Sequence, residues 1–241
     1  MVIDFKTQER GDRPSSSIAA ILPNQAVFFE MLGSHSGTLL DDERACLSQV
    51  AVEKRVREFT AGRHCARKAL GRLGIPEVAI LRGRSREPLW PAGVVGSITH
   101  CEGYCAAAVA KAADLAALGI DAEKNEPLPS GVENLVATEE EAGQFRQAST
   151  TGIHWDKLIF SAKESFFKAW FPVTQKWLEF KDVELRFDLE RRAFRVHPGR
   201  SSAKGWNDST GLFPQLARFE GKFLATFELL LTSAWLDCLG R

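Results

Sequence analysis

Four short stretches of this sequence hold residues able to handle a phosphate. In GIDAEKNEP, Asp121 and Glu123 stand two positions apart, which on a strand puts both carboxylates on one face. Two carboxylates so placed repel unless water solvates them or a cation sits between them. Magnesium suits such a pair, because it takes hard oxygen ligands and keeps water beside a substrate phosphate. In SAKESFFKAW, Glu164 and Lys168 are four apart and share a helix face. They form either an ordinary intrahelical ion pair or a further metal carboxylate with an amine aimed at phosphate. In GSITHCEGY, Thr99 and His100 follow an apolar stretch, and an imidazole there can donate to phosphate, more strongly when protonated. In EFTAGRHCARKALGRLG, Arg63, Arg67 and Lys68 lie close enough for one basic helical patch, which Arg86 of GRSREP can join. Arginine grips phosphate through paired donors, whereas lysine acts as a point charge. Each pattern also occurs on ordinary solvated surfaces, so none carries an activity alone.

The elements that must position these residues follow from periodicity and breakers. Ala26–Glu30 reads as a strand. Asp41–Arg72 reads as helical, with an interruption at Thr60–Gly62 and a stop at Leu73-Gly74-Ile75-Pro76. Val78–Leu81 is a short strand, Val94–His100 a further element, and Tyr104–Ala110 and Leu118–Glu123 are strands. Glu139–Arg146 is a short helix, and Trp155–Trp170 is a strong one, stopped by Pro172. Val183, Leu185, Phe187 and Leu189 alternate as a strand does, with Ala193–Val196 as partner. Residues 198–214 read as loop, Phe219–Leu231 as strand, and residues 1–20 as a partly mobile end.

Composition narrows the class. The chain has 241 residues, 44% hydrophobic and 26% charged, which is globular and long enough for one large or two small cores. Its 31 basic and 31 acidic residues cancel, which weighs against general nucleic-acid binding. The charge is unevenly spread: Glu53–Glu87 holds ten Lys or Arg against four Glu, whereas Asp121–Glu141 holds seven acids against Lys124 alone. Five cysteines without a Cys-x-x-Cys pair suggest neither a disulfide scaffold nor a zinc site, and point to a reducing cytoplasm. No signal peptide or membrane span is expected; FELLLTSAWL is too short to cross a bilayer and reads as a core strand. No Walker loop or GxGxxG occurs, so a kinase or a nicotinamide dehydrogenase is unsupported.

Taken together, FTAGRHCARKALGRLG, REPLWPAGVVGSITHCEGY, GIDAE and HWDKLIFSAKESFFKAWFPVTQKWLEFKDVEL, in that order between about residues 53 and 189, resemble the 4′-phosphopantetheinyl transferase superfamily. The likeness is to its Sfp-type, enterobactin-synthetase-component-D-like branch, especially the actinobacterial carrier-protein-activating members. The resemblance implies an α+β fold of two sandwich-like α/β halves related by a pseudo-twofold, residues 1–118 with the basic coenzyme A-binding segments and 119–241 with the magnesium site. It implies transfer of phosphopantetheine from coenzyme A to a serine of apo acyl, aryl or peptidyl carrier domains of fatty-acid, polyketide or nonribosomal-peptide synthases. The by-product would be adenosine 3′,5′-bisphosphate. Asp121, Glu123 and Glu164 would hold magnesium, for which manganese could substitute, Glu123 directly or through water. Glu164, Lys168 and His100 would be catalytic, with Glu164 or a metal-held water as base. Arg63, Arg67, Lys68, Arg86, Thr99, His100 and Lys168 would bind coenzyme A. Arg55, Arg57, Lys176 and the Leu115–Leu118 strip are candidate contacts for an acidic carrier helix. The family implies a cytoplasmic monomer without nucleic acid or membrane as partner. A coenzyme A pyrophosphate hydrolase, or a coenzyme A-binding module without transfer, is the alternative.

Overall fold

In the computed structural model two long helices each cover their own antiparallel sheet. The structure describes residues 17–33, 37–48, 50–145, 152–199 and 216–238. The helices are α1 (Asp41–Arg44), α2 (Glu53–Arg72), α3 (Glu133–Val136), α4 (Glu139–Phe145) and α5 (Trp155–Thr174). The strands are β1 (Val27–Leu32), β2 (Leu81–Arg82), β3 (Pro88–Leu89), β4 (Val94–Cys101), β5 (Tyr104–Lys111), β6 (Leu115–Lys124), β7 (Val183–Asp188), β8 (Ala193–Pro198), β9 (Glu220–Ala225) and β10 (Leu229–Asp237).

The first sheet runs β1-β5-β4 and the second β6-β10-β9-β8-β7, both antiparallel, with β2 and β3 forming a separate two-stranded ribbon. The period-two rule explains how β5 serves two cores. Cys105, Ala107 and Val109 meet Cys65, Ala66, Ala69 and Leu70 of α2. Ala106, Ala108 and Ala110 face the opposite way, toward Leu118, Ile120, Leu231 and Trp235 of the second sheet. The small alanines let that central layer close tightly. On the far side, Leu158, Ala162, Phe166, Ala169 and Trp170 of α5 pack on Leu185, Phe194, Val196 and Leu230. The result is the expected mixed fold of two helix-on-sheet halves. The divide drawn after Leu118 falls inside β6, all of whose paired residues are registered on β10; the chain passes between sheets at the turn after Lys111, where the Asp114 N–H donates to the Lys111 carbonyl.

Several local expectations are corrected. Helix α2 runs unbroken through Thr60–Gly62. There the Thr60 hydroxyl bonds back to the Val56 carbonyl at 2.7 Å, and a Cβ on Gly62 would stand 2.9 Å from Ile98 Cγ2. Gly62 is therefore a close-approach residue and not a breaker; the helical region breaks instead between α1 and α2. Pro172 does not stop α5, which ends at Thr174. Pro172 has no N–H for the Lys168 carbonyl and costs the helix one ladder bond, yet the helix runs two residues further before Gln175 closes it in the left-handed region (φ 54°), its N–H donating to the Phe171 carbonyl. Of Val78–Leu81 only Leu81 is paired, in β2. Ile18–Ile21, expected to be mobile, form a 3₁₀ turn capped by Ser17, with Ile18 and Ile21 buried in the central layer. The Phe219–Leu231 segment belongs to the β9–β10 hairpin, whose second strand runs on to Asp237. The 1–16 end, Arg146 and most of the 198–214 loop lie outside the described residues. All five cysteines are free thiols, and no helix among the described residues is long and apolar enough to cross a membrane.

Candidate active site

A cleft of about 260 Å³ opens between the halves, walled by α2 on one side and α5 on the other. From α2 come Arg55, Glu58, Phe59, Gly62 and Arg63, one face at helical spacing. From β4 comes His100, from the loop before β3 come Arg86 and Glu87, and from α5 come Glu164, Phe167, Lys168 and Phe171.

At its floor, Lys168 Nζ stands 2.6 Å from Asp121 Oδ1 and 3.3 Å from the Ile120 carbonyl. The pair joins α5 to β6 because Gly119 lets the helix lie on the strand: a Cβ there would collide with the Ser165 carbonyl oxygen and crowd Ala169 N. Thr99 holds Asp121 from the other side, its hydroxyl donating to Oδ1 at 3.3 Å while accepting the Ala122 N–H at 2.9 Å. The second oxygen of Asp121, Oδ2, is buried and has no partner.

This electrostatics sets protonation states. Burial pulls Lys168 down, but Asp121, Glu164 and Glu123 outweigh it and its pKa is raised, so it is a cation and not a base. Burial, with Asp121 and Glu123 nearby, raises Glu164 above the usual carboxylate range, against the pull of Lys168. Burial likewise lowers His100, with Lys168 and Arg55 adding to the effect and Glu58 and Asp121 opposing it. At neutral pH the imidazole of the free protein is therefore neutral, not the charged donor that would grip phosphate most strongly.

The expected site residues divide. Asp121, Glu164, Lys168, His100, Arg63 and Arg86 are brought to the cleft or its floor. Arg63 is partly spent: Nε and Nη2 donate to the Ile80 and Leu81 carbonyls at 2.7 and 3.3 Å, and its guanidinium lies 4.2 Å over the Phe59 ring. Burial lowers its pKa to about 10, which leaves it charged at neutral pH. Thr99 is 2% exposed and turned to β6, because neighbours on a strand face opposite ways and His100 takes the cleft side. In the free protein its hydroxyl is engaged with β6, where it holds Asp121. Arg67 does not reach the cleft; its guanidinium is bound by Glu43, Glu77 and the Thr38 carbonyl. Lys68 is exposed and outside the lining. The Leu115–Leu118 strip is largely core, with Leu115, Ala117 and Leu118 all at or below 2% exposure, and offers no docking surface.

Glu123 pairs with Lys157 at 3.5 Å, and no group of three or more His, Cys, Asp or Glu among the described residues is already gathered as a metal centre. The donor set nevertheless fits a hard cation: Asp121 carries an unpartnered buried oxygen, and Asp121 and Glu123 both raise Glu164. Sequence reasoning missed Glu58, Phe59 and Glu87 in the cleft. The signal for the first two was the α2 periodicity, since Arg55, Glu58, Phe59, Gly62 and Arg63 recur at three- and four-residue spacing.

The 4′-phosphopantetheinyl transferase N-terminal domain model matches residues 42–110, and the 4′-phosphopantetheinyl transferase superfamily model matches 117–212. The chain is 50% identical over 182 residues to the 4′-phosphopantetheinyl transferase Svp of Streptomyces mobaraensis, covering 73% of this chain and 74% of Svp. It is 36% identical over 221 residues to PptT of Mycobacterium tuberculosis, covering 90% and 96% of the two chains. To Npt of Nocardia iowensis it is 40% identical over 191 residues, covering 76% and 83%. With both halves matched and the cleft built between them, this chain belongs to the 4′-phosphopantetheinyl transferase superfamily.

Proposed function

We propose that the cleft transfers the 4′-phosphopantetheine arm of coenzyme A to a serine of an apo carrier protein domain. The observation that carries this reading is the Lys168–Asp121 pair at 2.6 Å beneath a cleft that also holds Glu164, His100, Arg63 and Arg86. The serine Oγ forms a bond to the β-phosphorus of coenzyme A, the pyrophosphate bond breaks, and adenosine 3′,5′-bisphosphate leaves with the electron pair. Lys168 is a fixed cation beside the charge that develops on the transferring phosphoryl group, positioned before the reaction begins. Arg63 and Arg86 face the polyanionic donor from the other wall. Neutral His100 offers an N–H without adding net charge. Glu164, which lines the cleft together with Lys168, is the candidate base for the serine proton. Asp121, Glu164 and Glu123 would hold magnesium, which when bound offsets pyrophosphate charge. Thr99 keeps Asp121 oriented for that task.

The test incubates the purified protein with coenzyme A, magnesium and a panel of apo carrier domains, and counts both products. Transfer yields bisphosphate and holo carrier in equal amounts. Bisphosphate released without a carrier would mark a hydrolase and overturn the reading.

A further inference from the structure

A lysine at position 157 is unfavourable in two ways, and Glu123 is the neighbour that offsets both. Lys157 is the third residue of α5, in the first turn, where the helix dipole disfavours a cation. Its side chain is only 11% exposed, and burial disfavours any charge. The ammonium faces Glu123 Oε2 at 3.5 Å, across from β6, and lies 6.0 Å from the centre of the Phe160 ring. Lys163, six residues on, is by contrast bound by Glu141 and three carbonyls.

The contact to Glu123 is loose. At 3.5 Å it lies at the outer limit of a hydrogen bond; it engages Oε2, and nothing among the described residues donates to Oε1. Lys157 therefore offsets the charge of Glu123 without occupying both of its oxygens. Glu123 shares the strand face of Asp121, and both carboxylates bear on Glu164. Three carboxylates at the cleft floor, Asp121, Glu123 and Glu164, meet two ammonium groups, Lys168 and Lys157. The floor thus carries one net negative charge. With one divalent cation held there it becomes net positive, the sign that attracts a pyrophosphate. Without Lys157 the loaded floor would be neutral.

We propose that Lys157 sets the charge balance of this site, weakening its hold on a bare divalent cation and keeping the cation-loaded site positive toward the pyrophosphate of the donor. This rests on the transferase reading, in which Asp121, Glu123 and Glu164 hold magnesium. Lys157 is a positioning residue that acts through Glu123. A purely structural tie between α5 and β6 predicts the opposite sign for the first effect, because loosening such a tie would spread the carboxylates and weaken cation binding.

The full chain is titrated with manganese alone, free manganese being followed by its electron paramagnetic resonance signal, and coenzyme A is titrated by calorimetry at saturating magnesium. Lys157→Met is expected to tighten manganese binding about tenfold, the scale of one unit charge beside a divalent cation, and to weaken coenzyme A binding about threefold or more. Lys157→Gln removes the charge but keeps a donor for Glu123, and should shift both affinities in the same directions. Lys157→Arg keeps the charge and should stay within about twofold of wild type in both. Manganese affinity unchanged or weakened in both neutral variants, yet lost in Asp121→Asn, would overturn the charge-setting role and leave the transferase reading intact. Absence of manganese binding in the wild type and in both neutral variants would overturn the magnesium assignment, and this inference with it.

Discussion

Helices α2 and α5 invite comparison. Each is 20 residues long, each lies on an antiparallel sheet, and each sends charged residues to the cleft while committing another to the fold. On α2, Arg63 reaches the cleft wall and Arg67, one turn on, is held by Glu43 and Glu77. On α5, Lys168 meets Asp121 at the floor, whereas Lys163 is 2% exposed and buried with Glu141 at 2.8 Å. Lys163 also donates to the carbonyls of Val136, Phe180 and Val183, and Glu141 accepts the Leu185 N–H, so this one ion pair ties α3, α4 and β7 to α5. The difference lies in what remains free. Arg67 and Lys163 have their donors occupied by the protein itself. Lys168 is 29% exposed and its partner Asp121 keeps an unsatisfied oxygen. On the proposed reading, a cation becomes available to the substrate through incomplete internal pairing.

Breaking the committed pair should have the largest effect. Lys163→Met leaves Glu141 charged and buried, and is expected to cost about 3–5 kcal/mol of stability, read by urea unfolding. Activity per folded molecule should fall far less than stability. Next comes the available cation. Lys168→Ala should lower kcat/KM for carrier modification by about 10²–10³-fold, the usual loss for one preorganised charge-stabilising group, with a smaller change in the unfolding midpoint than Lys163→Met. If the two variants exchanged these signatures, the distinction between committed and available cations would fail.

Gly119→Ala sharpens the comparison by separating α5 from β6. The added methyl has to push against the backbone of Ser165, so we expect a loss of about 1–3 kcal/mol, together with a fall in kcat as Lys168 moves off Asp121. The smallest effect is expected for Arg195→Ala. Its partner Glu220 is 2.9 Å away, but both side chains are exposed, and such pairs contribute under about 1 kcal/mol.

How far the sequence could be read follows from the same contrast. Asp121 sits on β6, and Glu164 and Lys168 share α5, because strand and helix periodicities act locally. The alternation Val183, Leu185, Phe187 likewise marked β7 and its β8 partner, although Leu189 lies beyond the strand and is 41% exposed. Arg63 and Arg67 could not be told apart, since they are four residues apart on one helix and only distant Glu43, Glu77 and Ile80 decide their roles. Thr99 was placed with His100 on motif grounds, whereas its direction depends on the neighbouring β6. The role of Lys163 has no local signal, because its partners lie 17 to 27 residues away. Pro172 and Gly62 were read as breakers because local propensity registers neither the packing of α5, which runs on to Thr174, nor the close approach of Gly62 to Ile98.

The most direct test of the central claim is the rate of holo carrier formation, followed by intact mass, for wild type and Asp121→Asn at matched folded fraction. Asn preserves shape but removes the charge that holds Lys168 and the oxygen left for a cation. The account predicts that the wild type converts an apo carrier in the presence of coenzyme A and magnesium, and that Asp121→Asn slows this at least about 10²-fold while remaining folded. A variant rate within about twofold of wild type would contradict it, and would place the chemistry away from the cleft between the two halves.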